Sequence, residues 1–218
     1  MTSVAIIDLS ELELDALTEL VNLGVSNAAL SLREMVREEV LLSVPKVSLV
    51  TREEAIRNLV EKDPSRLVAV HQDFEGDIRG RALLIFPESK SVELVRAVVG
   101  GELPLEEMVE LEQEALAETG NVLLNGCLGT IANHLQRSLR ISLPEVIYGD
   151  GADFFALPIS KNNDRVLFVY INFAVRRRNL EGYIAMLMDM PSLVVLKDLL
   201  DSFIARVASG AAMSSDVV

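Results

Sequence analysis

Two short sets of polar residues recur at a fixed distance along this 218-residue chain. The first is Asp15, Glu19 and Asn22, followed by Pro45; the second is Glu114, Glu118 and Asn121, followed by Pro144. Glu19 and Glu118, Asn22 and Asn121, and Pro45 and Pro144 are each 99 positions apart. A lone Glu-x-x-Asn arises by chance in many helices; three matches at one spacing carry far more weight. Side chains at i, i+4 and i+7 of an α-helix share one stripe, so each set presents a carboxylate and a neutral amide about one turn apart. The amide takes up no proton near neutral pH, but it can hydrogen-bond a water and hold it in line with an electrophile. The carboxylate can anchor a cationic partner group or serve as a general base. The residue types leave both roles open.

Long helices must carry these sets. Over residues 11–37, Leu14, Leu17, Val21, Val25, Ala28, Leu32 and Met35 recur at spacings of three and four, the mark of a helix with one buried stripe. Residues 105–139 repeat the pattern with Leu116, Leu124, Cys127, Ile131 and Leu135. The polar stripe is turned by roughly a third of a revolution from the apolar one, so each Glu and Asn is expected to project from the protein. Gly120, on the inward stripe, is expected to admit another helix closely.

Each helix leads into a proline-containing strand, Val40–Val47 and Leu139–Val146, with the proline expected near a strand end or sheet edge. Hairpins follow, Leu67–Phe74 with Ile78–Phe86 and Arg165–Val175 with Leu180–Met188. Arg176-Arg177-Arg178 reads as the solvated tip of the second. Pro87–Val99 and Pro191–Arg206 then read as helices opened by proline. The first half adds a helical piece, Arg52–Glu61, where the second has only a loop around Gly149–Asp153. The expected fold class is α+β, one domain over 1–218. Two pseudo-symmetric repeats, about 11–100 and 105–206, share an antiparallel sheet, two long packed helices carry the motifs, and 209–218 forms a flexible tail.

The net charge of −13 argues against nucleic acid, which requires clustered Lys and Arg. No apolar run approaches the roughly 18 residues of a membrane span, so no membrane insertion is expected. Met1-Thr2-Ser3-Val4 opens no secretion signal, and the single Cys127 cannot form an internal disulfide, which together point to the cytoplasm. Cys127 falls on the apolar stripe and reads as a small buried hydrophobe. His71 and His134 have no second ligand at metal spacing, even counting Asp73, and no Gly-rich loop cradles phosphate. No metal or cofactor is expected on this chain. Met186, Met188 and Met190 read as core.

The pattern Asp/Ser-x3-Glu-x2-Asn-x22-Pro resembles that of the CheC–CheX–FliY phosphatases of bacterial and archaeal chemotaxis. Asn22-Leu23-Gly24 and Gly120-Asn121-Val122-Leu123-Leu124-Asn125 extend the resemblance, which covers essentially the whole chain. The doubled motif is more similar to CheC than to CheX, which carries one copy per chain. Glu114 departs from the pattern, standing where Asp or Ser is usual. The resemblance implies hydrolysis of the aspartyl phosphate on the response regulator CheY, with Mg²⁺ carried by that phosphorylated partner. It implies catalytic roles for Glu19, Asn22, Glu118 and Asn121. The two Asn hold the hydrolytic water, and the two Glu pair with the receiver's active-site Lys. Asp15, Glu114, Pro45 and Pro144 flank the motifs, the prolines structurally. It also implies binding of the receptor deamidase CheD. The alternative is a non-catalytic binding module, like the middle domain of flagellar switch proteins such as FliM. Only six of the 31 aligned pairs in 15–45 and 114–144 are identical, and the Glu, Asn and Pro pairs are among them. That retention favours function over mere common ancestry of the two halves.

Overall fold

The chain is built from apolar strands and amphipathic helices, and each needs a partner face. A computed structural model describes residues 8–36, 39–62, 66–99, 104–155, 165–175 and 178–215. In chain order the elements are α1 (Glu11–Val36), β1 (Val40–Thr51), α2 (Arg52–Lys62), β2 (Leu67–Gly76) and β3 (Gly80–Pro87). A 3₁₀ turn (Glu88–Lys90) leads to α3 (Ser91–Val99) and α4 (Leu105–His134). Then come β4 (Leu139–Ile141), β5 (Glu145–Gly149), α5 (Gly151–Phe155), β6 (Arg165–Val175), β7 (Arg178–Met188) and α6 (Met190–Ser215).

The fold is α+β, as expected. One antiparallel sheet runs in the order β1-β6-β7-β3-β2, with β4 and β5 end to end along the far side of β2. Strands β3 and β7 pair at its centre, so both halves of the chain contribute to it. Alternate residues of β2 split between two cores. Val68, Val70 and Phe74 join the apolar stripes of α1, α3, α4 and α6, while Leu67 and Ala69 meet Ala55 and Leu59 of α2 and Phe154 and Phe155 of α5. Cover on both faces accounts for the nearly continuous apolar runs of the central strands.

Each motif proline lies where an edge ladder breaks. In β1, Ser43 faces Asn172 and Lys46 faces Tyr170, three steps against two, with Pro45 inside the slip. At the opposite edge, Ile141 faces Phe74 and Glu145 faces His71, four steps against three, with Pro144 inside. A residue without an N–H is tolerated at such a bulge. The second proline segment is therefore not the single strand expected over Leu139–Val146. It is two strands parted by Ser142-Leu143-Pro144.

Other boundaries differ for local reasons. Helix α4 stops at His134, short of residue 139. Gln136 takes a left-handed φ of 57°, and the N–H groups of Gln136 and Arg137 donate to the carbonyls of Asn133 and Ala132 (3.0 and 2.8 Å), a Schellman stop. Where a loop was expected around Gly149–Asp153, α5 forms. Asp150 Oδ1 caps it, accepting from the N–H groups of Ala152 and Asp153 (2.8 and 3.1 Å). Five residues are too few to show a period. Pro87 both closes β3 and caps the 3₁₀ turn that leads into α3, and Pro191 sits in the first turn of α6. Arg178 begins β7; Arg176 and Arg177 lie outside the described residues. Helix α6 continues to Ser215, past the expected frayed start at Ser209, through a stretch rich in Ala, the strongest helix former.

Helices α1 and α4 cross where small residues meet. A Cβ on Gly24 would lie 2.8 Å from the Cys127 Cα, and one on Gly126 would lie 2.8 Å from the Ala28 Cβ. Asn27 Nδ2 donates to Thr130 Oγ1 across the same seam (3.1 Å). Gly120, expected at a helix crossing, instead faces the sheet, where a Cβ would collide with the side chain of Val70.

The start of α1 is tied to α6. Ser10 and Glu13 form a capping box, each backbone N–H donating to the other's side chain. Lys197 Nζ donates to both Glu13 oxygens at 2.6 and 2.7 Å. Burial of Glu13 opposes its charge, but Lys197 and Ser10 outweigh it and hold the carboxyl down at about 2.

Two outcomes follow. Gly24→Val is expected to destabilise the protein by about 2 kcal/mol in denaturant unfolding, because backbone stands where the new methyls must go. The Glu13 contribution, its folded pKa being depressed, is full above about pH 4.5 and is lost as pH falls toward about 2. Glu13→Gln should flatten the acid limb of stability in that window.

Candidate functional site

On α1 the buried stripe of Leu17, Leu20, Val21 and Val25 leaves Asp15 and Glu19 exposed and Asn22 half-buried. On α4, Leu116, Leu123 and Leu124 are buried, Glu114 and Glu118 are exposed, and Asn121 is half-buried. The carboxylates project as expected, whereas the amides lie deeper than expected. Asn22 is three residues from Val25, and Asn121 three from Leu124. That is about 60° around the helix, so each amide borders the buried stripe.

The amide of Asn22 has no hydrogen-bond partner among the described residues. Asn121 is held. Its Oδ1 accepts from Gln72 Nε2 (3.1 Å) and from Asn125 Nδ2 (2.7 Å). Gln72 is 1 % exposed, and its Nε2 also donates to the Ser142 carbonyl (2.8 Å). A main-chain carbonyl can only accept, so this contact sets which end of Gln72 faces Asn121, and hence which end of Asn121 faces Gln72.

The segment carrying Pro144 is clamped beside this network. Ser142 N–H donates to the Asp73 carbonyl (2.8 Å) and Asp73 N–H donates to Ser142 Oγ (2.9 Å). The break in the ladder at Pro144 leaves the Ser142 carbonyl free to meet Gln72. Pro45 and Pro144 thus sit in the edge strands of the sheet, one face of which is covered by α1, carrying Glu19 and Asn22, and α4, carrying Glu118 and Asn121. Sequence reasoning did not find Gln72. The one trace was Ser43 and Ser142, another of the identical pairs.

The surrounding charges are structural. Arg81 grips Asp73 through two hydrogen bonds (2.6 and 2.9 Å) and holds its carboxyl below the usual range. His71 points to the other face of the sheet, with Nε2 3.5 Å from Glu145; burial lowers its pKa and favours the neutral ring. Burial pushes the Cys127 thiol up to about 12, which removes it as a nucleophile near neutral pH. Among the described residues no group of three or more His, Cys, Asp or Glu could hold a metal, and no helix is long and apolar enough to cross a membrane.

No family model matches the chain. Among curated proteins it is similar to the CheY-P phosphatase CheC of Bacillus subtilis, 25% identical over 156 residues, 70% of this chain and 72% of that one. It is also similar to the flagellar motor switch phosphatase FliY of the same organism, 22% identical over 201 residues, 89% of this chain but only 50% of the relative. Among solved structures, Thermotoga maritima FliY superposes with a TM-score of 0.71 at 17% identity, covering 90% of this chain and 100% of that one. The FliM middle domain of H. pylori superposes with a TM-score of 0.60 at 13% identity, covering 88% and 99%. At these identities the two structures show the fold alone.

Cys127 is expected to resist a thiol reagent in the folded protein at mildly alkaline pH. It should react fully once the chain is denatured, as followed by absorbance of the released thiolate.

Proposed function

We propose, from the likeness to CheC and FliY, that the chain belongs to the CheC–CheX–FliY family and hydrolyses the aspartyl phosphate of the response regulator CheY. The observation that carries the reading is the pairing, on both motif helices, of an exposed Glu with a solvent-edge Asn about one turn away. A protruding pair of this kind can enter a cleft on another protein. Glu19 or Glu118 anchors a cationic group beside the phosphoryl group, and Asn22 or Asn121 holds a water in line with phosphorus. The water oxygen forms a bond to phosphorus as the bond to the aspartyl oxygen breaks. Inorganic phosphate leaves with one water proton, the other passing to phosphate or to solvent, and the partner's carboxylate is restored. The Mg²⁺ belongs to the phosphorylated partner, where it neutralises phosphoryl oxygens. This chain's share is position, which suits a loose transition state.

A second reading is a module that binds its partner without hydrolysis; the fold shared with the FliM middle domain accommodates either. Phosphate release from purified phospho-CheY separates the two. Under the first, wild type accelerates release, Asn22→Ala and Asn121→Ala each remove part of the gain, and the double variant loses it by roughly a hundredfold. A folded double variant as active as wild type would sink the catalytic assignment. Binding without acceleration by wild type would establish the module.

A further inference from the structure

The two amides stand in unequal surroundings. Asn121 has both lone pairs of its Oδ1 engaged, by Gln72 and by Asn125. Neither donor has a counterpart in the first half. The bulged ladders align the halves residue for residue: Ser142 lies against Asp73 as Ser43 lies against Asn172. The residue before Asp73 is Gln72, and the residue before Asn172 is Ile171, a wholly buried apolar side chain. The residue one turn beyond Asn121 is Asn125, and the residue one turn beyond Asn22 is Ser26, which is exposed.

A buried glutamine is costly unless its polar atoms are used. Here its N–H groups serve two acceptors, and its Oε1 has no partner. Resting on the reading of the site given above, we propose that Gln72 is a positioning residue. With Asn125, it fixes the Asn121 amide so that only Nδ2 and its two N–H groups face an incoming partner. A water held by such an N–H keeps a second lone pair for phosphorus. Asn22 can turn either end outward and must be ordered when it is used. The second site is therefore pre-set as a hydrogen-bond donor, and the first is not.

The test uses the Asn22→Ala protein, in which only the second site remains, with and without Gln72→Met, a side chain of similar length lacking the donor. Phospho-CheY turnover should show kcat lower by roughly tenfold with KM unchanged, since a lost orientation acts on the chemical step. In the free protein, ¹⁵N relaxation of the Asn121 side-chain NH₂ should show it ordered in wild type and as mobile as that of Asn22 once Gln72 is replaced. Asn125→Leu removes the other donor from a partly exposed position and should move both readouts in the same direction. It stands in for Gln72→Met if that variant fails to fold. An unchanged or raised kcat, or an NH₂ equally ordered without the donor, overturns the proposal. If Asn22→Ala protein has no activity and yet Gln72→Met frees the Asn121 amide, the hold stands, and the catalytic reading of the second site is what falls.

Discussion

The close crossing of α1 and α4 sets where the two Glu/Asn motifs stand. Two long helices lie on the same face of one sheet and against each other, and each has a single apolar stripe with which to do it. The seam closes only because Gly24 meets the backbone of Cys127 and Gly126 meets Ala28. Gly120, against Val70, lets α4 settle onto β2. With the stripes committed in this way, the next residues around each helix fall at the margin between core and solvent. Glu19 and Glu118 stand clear of it, and Asn22 and Asn121 straddle it.

The sheet edges are organised around the same margin. A proline in an edge strand forces a one-residue slip, and the slip releases a carbonyl from the ladder. At the second edge that carbonyl, on Ser142, orients Gln72, and Gln72 orients Asn121. Pro144 thus bears on Asn121 through backbone geometry, by way of Ser142 and Gln72. At the first edge the slip is the same, but Ile171 fills the corresponding place with apolar surface. Two halves with one backbone plan therefore carry amides with different freedom.

Much of the architecture was legible in the residues. Helical periodicity located α1 and α4, because that signal is repeated over many positions; strand runs flanking turn residues located the two hairpins, and an opening proline marked α6. What escaped was short or context-dependent. Helix α5 is held by an Asp150 cap and two buried Phe, with too few residues for a period. The end of α4 depends on Gln136 adopting a left-handed conformation, which nothing in a Gln announces. The split of β4 from β5 depends on how the Ser142–Pro144 segment meets β2.

The sequence by itself determined that two Glu/Asn pairs would stand near the surface of two matched helices, because spacing of 3.6 residues per turn turns position into direction. It could not determine what touches those amides. Gln72 is 49 residues from Asn121, on a strand whose neighbours are chosen only when the sheet assembles. A hydrogen bond between them exists because packing brings β2 beneath α4 and buries a polar side chain that must find acceptors there. Direction is a local property of the chain, and partnership is a property of the closed core.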